Sequence, residues 1–203
     1  MKGFDTAIIL AGGQSKRMGF DKQFLRIDDR WIIDLQINRL KGLFKEIIIV
    51  TNKSEEYDHY SYKIVEDEIR NFGPLGGIHA GLKHANNHYN YVIACDMPYI
   101  NIDYIKYMAE QIEAYNGKIE AVVTRFGDWI EPMNAFYSKS LIEKIEKKAL
   151  EGNRKISILL EEANVFYIEE SKARKFSSQW EMFINLNNPN DAEKYLKHRN
   201  GEI

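Results

Sequence analysis

Residues 10–22 read Leu-Ala-Gly-Gly-Gln-Ser-Lys-Arg-Met-Gly-Phe-Asp-Lys. Gly12, Gly13 and Gly19 are interspersed with Lys16, Arg17 and Lys22, directly after the apolar run Thr6-Ala7-Ile8-Ile9-Leu10. Glycines lack Cβ and let backbone N–H groups turn inward toward a ligand. Successive inward N–H groups make an anion-binding concavity, and the three cations add full positive charge. The chemistry this suits is capture of a polyphosphate. It is not a P-loop, which needs Gly-Lys followed by Ser or Thr. Nor is it the dinucleotide fingerprint, because Gly12-Gly13 has the wrong spacing for Gly-x-Gly-x-x-Gly.

Asp96 lies in Tyr91-Val-Ile-Ala-Cys-Asp-Met-Pro98. A carboxylate leaving an apolar strand points into the crevice where ligands bind. Beside a polyphosphate its natural task is to hold Mg²⁺, which takes one or two protein carboxylates and completes its shell with water and phosphate oxygens. The competing task is capping the helix near Ile102, for which Asn101 is better placed. Gly73-Pro-Leu-Gly-Gly77 is either a plain loop-to-helix junction or a place where backbone, Gly76 included, approaches a base or ribose. Asp67 follows a short strand and can accept hydrogen bonds from a sugar or base; the N1–H and amino group of guanine would suit one carboxylate. The competing reading is a solvated Glu66-Asp67-Glu68 run.

Asn185 and Asn187 alternate on an extended segment, so their side chains point the same way. Two amides on one face suit the edge of a heterocycle. Asn188 reads as the cap of a last helix with Pro189 in its first turn. Arg154 and Lys155, after Gly152, either neutralise another anion or form a solvated loop. Cys95 faces away from Asp96 and reads as a small buried side chain. The histidines are scattered, and His84 and His88 form no convincing metal pair.

The elements that position these residues alternate. Ala7–Leu10, Glu46–Thr51, Lys63–Val65, Tyr91–Ala94 and Glu120–Thr124 read as strands. Trp31, Ile32, Ile33, Leu35, Leu40 and Leu43 predict a helical face. Gly76–Asn86 and Ile102–Tyr115 predict further helices. This order predicts an α/β fold, a parallel sheet with helices on both faces. In such sheets ligands bind at the carboxyl ends of the strands, where 11–22, Asp67, Gly73–Gly77 and Asp96 all fall. Beyond residue 125, Glu131–Tyr137 reads as a strand entered through Pro132. Leu141–Leu150 reads as a helix with a solvated Lys/Glu face and Ile142 and Ile145 inward. Ile156–Glu162 reads as a short helix and Val165–Ile168 as a strand.

The chain has 203 residues and a net charge of −2. That length predicts one domain, residues 1–203, or one domain with a small appendage. No basic stripe predicts nucleic-acid binding, and no run of 18 apolar residues predicts a membrane span. The single Cys95 excludes an intramolecular disulfide framework. With no secretory leader pattern at the N-terminus, the expected location is cytoplasmic.

These motifs together resemble the molybdenum cofactor guanylyltransferases (MobA type) of the nucleotidyltransferase superfamily. The matches are Leu10–Lys22, Gly73–Gly77, Cys95-Asp-Met-Pro98, Glu131-Pro-Met-Asn-Ala135 and Asn185-Leu-Asn-Asn-Pro189, in the family's order over nearly the whole chain. Two departures are Glu131, where His or Gln commonly precedes the proline, and Asn188, where Thr is usual. The resemblance implies a three-layer Rossmann-like nucleotidyltransferase fold with a mostly parallel sheet. It implies transfer of GMP from GTP to the terminal phosphate of molybdopterin, with Mg²⁺ as cofactor. Leu10, Ala11, Gly12 and Gly13 would then line the GTP site with Gly76. Arg17 and Lys22 would neutralise the triphosphate, Asp67 would bind the nucleotide and Asp96 the metal. Asn185, Asn187 and Arg154 would serve molybdopterin. Transient contact with other molybdenum cofactor proteins is also expected. The alternatives are a molybdopterin cytidylyltransferase, a sugar-phosphate nucleotidyltransferase, or a catalytically silent nucleotide-binding module.

Overall fold

In the computed structural model, residues 3–12, 26–27, 30–187 and 189–199 are described. Gly13, Arg17, Lys22 and Asn188 lie outside them.

β1 (Thr6–Leu10), β4 (Glu46–Val50), β5 (Lys63–Val65) and β6 (Tyr89–Ala94) run parallel. With β7 (Ala121–Phe126), β8 (Trp129–Ser138) and β9 (Val165–Glu169) they form a seven-stranded sheet of order β5-β4-β1-β6-β8-β7-β9. β8 alone is antiparallel to its neighbours. A separate two-stranded hairpin pairs β2 (Arg26–Ile27) with β3 (Arg30–Trp31). The chain is therefore an α/β protein with a mostly parallel sheet, and its strand cores are buried on both faces as that arrangement requires.

Alternation along each strand sends its side chains to two cores. Ala7 and Ile9 of β1 face the layer holding α1 (Ile32–Leu40) and α3 (Ile102–Ala114). Ile8 and Leu10 face α2 (Pro74–His84), α4 (Leu141–Leu150) and α5 (Ile156–Glu161). Each fully buried Ile or Leu contributes roughly 1.5–3 kcal/mol to this sandwich. A smaller third core joins Ile27 of the hairpin and Ile32 of α1 to Leu186 and to Tyr195 of α7 (Pro189–Arg199). That satellite holds the C-terminal segment against the residues that follow the glycine loop. One more short helix, α6 (Glu170–Ala173), follows β9.

Three local expectations change. The first helix starts after Trp31, because the Asp34 carboxylate accepts from the Trp31 N–H at 3.2 Å. It ends at Leu40, whose carbonyl takes the Leu43 and Phe44 N–H groups. Its buried stripe is Ile32, Ile33, Gln36, Ile37 and Leu40, so a glutamine stands where an apolar residue is expected. β8 begins at Trp129, and Pro132 sits inside it within a bulge between the Thr124–Glu131 and Val122–Phe136 pairings. A proline cannot donate to a ladder, and a bulge is where an interior strand tolerates it. On α4 the buried residues are Leu141, Ile145 and Lys148, while the expected Ile142 packs on the same core only partly buried. Lys148 is only 4 % exposed, and its ammonium is held by Glu151 at 2.8 Å and Glu162 at 2.6 Å.

Candidate active site

The carboxyl ends of β1, β4, β5 and β6 form one contiguous ledge. The Ala11 N–H donates to the Val50 carbonyl at 2.8 Å, and the Thr51 N–H to the Val65 carbonyl at 2.9 Å. The Cys95 N–H reaches the Leu10 carbonyl at 3.0 Å. These bonds extend the ladder beyond the strands and bring Leu10, Ala11 and Gly12 beside Cys95 and Asp96. Leu10 and Ala11 are buried, while Gly12, which leads into the glycine loop, is exposed.

Asp96 occupies a corner of the turn Ala94-Cys95-Asp96-Met97, closed by the Met97 N–H on the Ala94 carbonyl at 3.2 Å. Its side chain is half-buried. The helix that follows is capped by Asn101, whose Oδ1 accepts from the Tyr104 N–H at 2.9 Å. The Asp96 carbonyl accepts from the Leu186 N–H at 2.7 Å. One hydrogen bond thus joins the turn to the centre of Asn185-Leu186-Asn187.

Asp67 follows β5 and exchanges a pair of bonds with Asn52 after β4. Asn52 Nδ2 donates to Asp67 Oδ2 at 3.1 Å, and the Asp67 N–H donates to Asn52 Oδ1 at 3.2 Å. Burial raises the Asp67 pKa above the ordinary carboxylate value, against the Asn52 bond and the nearby His79, which favour the ionised form. α2 starts over this carboxylate. Its N-cap Gly73 has φ +65° and ψ −149°, a conformation open to glycine alone. A Cβ on Gly76 would meet the Ile69 carbonyl at 3.0 Å and Asp67 Oδ2 at 3.6 Å; one on Gly77 would meet Leu10 at 3.2 Å. The glycines at 76 and 77 therefore let the first turn of α2 close onto β1 and Asp67, and the Gly76 N–H is already bonded to Gly73 O at 3.0 Å.

Residues 7–165 match the family of MobA-like NTP transferase domains. The chain belongs to this family. It is 48% identical over 195 residues to a probable molybdenum cofactor guanylyltransferase of Peptoclostridium acidaminophilum, covering 95% of this chain and 88% of that one. It is 47% identical over 198 residues to the molybdenum cofactor guanylyltransferase of Syntrophotalea carbinolica, covering 98% and 93%. The crystal structure of molybdopterin-guanine dinucleotide biosynthesis protein A from Archaeoglobus fulgidus superposes with a TM-score of 0.82 at 25% identity, covering 97% of this chain and 99% of that one.

In this MobA-like chain the segment 184–187 reaches Asp96 without regular secondary structure, from an extended Ile184 (φ −78°, ψ 123°). Asn185 is exposed and Asn187 half-buried. Asn187 Nδ2 bends toward the Asn185 carbonyl at 3.3 Å, and its N–H is taken by the Asp191 carboxylate of α7 at 2.8 Å. Arg154 is exposed in the loop between α4 and α5, on the α2 face of the sheet, and makes no ion pair among the described residues. The structure thus brings Leu10–Gly12, Asp96 and the Asn185–Asn187 segment together and sets Asp67 and α2 on one flank, while Arg154 is joined to none of them among the described residues.

Three buried polar residues near Asp96 draw no role from the sequence, two of them, Glu131 and Asn134, within a quoted motif. Asn134 in β8 accepts from the Tyr91 hydroxyl at 2.8 Å and donates to the Met182 carbonyl at 3.0 Å, fixing the turn that leads into Asn185. Gln36 reaches the Asp96 turn from α1. Glu131 is 3 % exposed, its Oε1 accepting from the Met133 N–H at 2.9 Å. Its pKa is pushed up to about 7, chiefly by burial; the Met133 bond opposes the rise and the negative charge of Asp96 adds to it. The sequence signal for Asn134 and Glu131 was their place in a family motif, and for Gln36 a lone amide on an apolar helical stripe.

The oxygen donors at Asp96 suit a hard divalent cation that needs few protein ligands. Among the described residues no group of three or more His, Cys, Asp or Glu side chains converges on one point, and no helix is long and apolar enough to cross a membrane. A shallow hollow of about 360 Å³ lined by Lys41–Lys45, Ile47 and Tyr62 lies at the opposite, amino end of β4.

Proposed function

We propose that this chain transfers GMP from GTP to the terminal phosphate of molybdopterin, releasing pyrophosphate, with Mg²⁺ held at Asp96. The observation that carries this reading is the bond from Leu186 N–H to the Asp96 carbonyl. It ties the backbone between Asn185 and Asn187 to the turn that carries Asp96, which supports an acceptor-facing edge next to a nucleotide-facing one. The near-full-length kinship to guanylyltransferases supplies the two substrates.

An oxygen of the acceptor phosphate attacks the α-phosphorus of GTP. The new P–O bond forms as the bond to the bridging oxygen breaks, and that oxygen leaves on pyrophosphate. The nucleophile is already ionised at neutral pH, so no side chain has to remove a proton. Positioning and charge stabilisation are then the main catalytic terms. Backbone at Leu10, Ala11, Gly12 and Gly13 lines the phosphates, with Arg17 and Lys22 neutralising their charge. Asp67, fixed by Asn52, accepts from the nucleoside, and the first turn of α2 at Gly76 backs that carboxylate. Bound at Asp96, Mg²⁺ supplies positive charge to the phosphate oxygens. Asn185 and Asn187 hold the pterin, and Arg154 serves a further anion.

The test is pyrophosphate release with each of the four NTPs in the presence of molybdopterin. GTP-selective, molybdopterin-dependent turnover is expected; CTP selectivity would move the chain to the cytidylyl branch. Asn187→Ala is expected to raise the KM for molybdopterin about tenfold, the worth of one or two lost hydrogen bonds, with GTP affinity nearly unchanged. An equal loss for GTP would dissolve the division into two substrate edges.

A further inference from the structure

Gln36 is fully buried on the sheet-facing stripe of α1. Its single amide nitrogen serves two acceptors distant in sequence, the Ala94 carbonyl at 2.8 Å and the Met97 carbonyl at 2.9 Å. These are the two ends of the turn that carries Asp96. The Ala94 carbonyl also takes the Met97 N–H, so both hydrogens of the Gln36 amide close a second strap over the same turn. Both acceptors demand the NH₂ end, which fixes the orientation of the amide, and its buried Oε1 makes no hydrogen bond among the described residues. The donors come from a helix packed against the sheet, which is stiffer than the loop it holds.

We propose that Gln36 is a positioning residue for the transfer reaction: its amide clamps the Ala94–Met97 turn and so fixes where Asp96 points. The inference rests on the reading of Asp96 as the metal-holding carboxylate. The clamp has a second consequence. The Asp96 carbonyl receives the Leu186 N–H, so a fixed turn also fixes the Asn185–Asn187 edge relative to the nucleotide ledge. Gln36 thereby sets the register between the two substrate edges without touching either substrate. Removing the clamp leaves a turn free to shift by a fraction of an ångström, and misplacement on that scale costs roughly tenfold to a hundredfold in rate.

Gln36→Met keeps the length and volume and removes the donors; Gln36→Asn keeps the amide but falls one methylene short of the turn. Three readouts are taken on both variants: amide hydrogen exchange without metal, Mn²⁺ affinity in the presence of a non-hydrolysable GTP analogue, and kcat and KM for GTP. In at least the variant that folds like wild type, exchange at Met97 and Leu186 is expected to quicken about tenfold relative to Ile8 and Ile48. Mn²⁺ affinity is expected to weaken severalfold, and kcat to fall roughly tenfold to a hundredfold with KM for GTP moving much less. Exchange that quickens equally throughout the core, or unchanged local exchange and kcat, would overturn the proposal and leave Gln36 a core residue. If the wild-type chain itself does not turn over GTP, the proposed function fails, while the exchange measurement still decides the clamp.

Discussion

Asp96→Ala is expected to lower guanylyl transfer by on the order of 10³-fold at saturating GTP and Mg²⁺, while the fold stays intact. The loss follows from what the side chain supplies, an oxygen anion at the carboxyl end of β6 where a divalent cation needs its protein anchor. Removing a preorganised charge-stabilising contact of this kind costs about 10²–10³ in kcat, and here the contact would be the cation's principal carboxylate. The fold survives because the bonds that build this corner are main-chain bonds. The Cys95 N–H to Leu10, the Met97 N–H to Ala94 and the Leu186 N–H to the Asp96 carbonyl all remain when the side chain is cut to Cβ. Asp96→Asn keeps shape and loses charge, and should fall nearly as far. Pyrophosphate release and the thermal midpoint, measured on the same preparations, separate the two effects. Near-normal turnover in Asp96→Ala would remove the metal assignment.

How far the sequence revealed this arrangement depended on the range of the interaction. Parallel β1, β4 and β6 were legible because both faces of each are buried, so that Ile8-Ile9 and Ile47-Ile48-Ile49 need no alternation. α3 was legible from a cap within three residues of its target, Asn101 to Tyr104. The placement of Asp96 and Asp67 at one sheet edge followed from the crossover rule for parallel strands. What was not legible spans tens of residues. The hairpin at Arg26–Trp31 is two rungs long and has no apolar period to show. Gln36 looks like an interruption of an apolar stripe, because its acceptors lie about 60 residues away on another element. Glu131 reads as a strand-edge acid beside a proline, and only the antiparallel run of β8 next to β6 brings it to Asp96 and buries it. Local periodicity carries burial of apolar groups well. It carries nothing about which polar group is buried, since that depends on a partner the neighbouring residues do not name.

Glu131→Gln is expected to stabilise the protein at pH 8 and to leave it nearly unchanged at pH 4.5. Glu131 is 3 % exposed, and the hydrogen bond its side chain accepts from the Met133 N–H, the one it makes among the described residues, compensates only part of the cost of burying a charge. Burial, with the charge of Asp96 added, pushes its pKa from 4.5 up to about 7. Between these values the folded protein holds a proton that the unfolded chain has released. Stability therefore falls as pH rises through this window, because it follows the proton count of the unfolded state minus that of the folded state. The full fall is about 3 kcal/mol, since each tenfold difference in proton affinity between the folded and unfolded chain is worth about 1.4 kcal/mol. Glutamine presents the same carbonyl oxygen to Met133, never ionises, and so matches the protonated acid without the fall. Urea midpoints of the two proteins in a chelating buffer, at intervals from pH 4.5 to pH 8, give the comparison directly. The wild-type midpoint should drop across the window while that of Glu131→Gln drops less, so that the curves separate as pH rises. Parallel curves would mean that Glu131 ionises as an ordinary surface acid, and a glutamine variant less stable at pH 8 would mean that its charge is compensated by a partner stronger than the Met133 N–H.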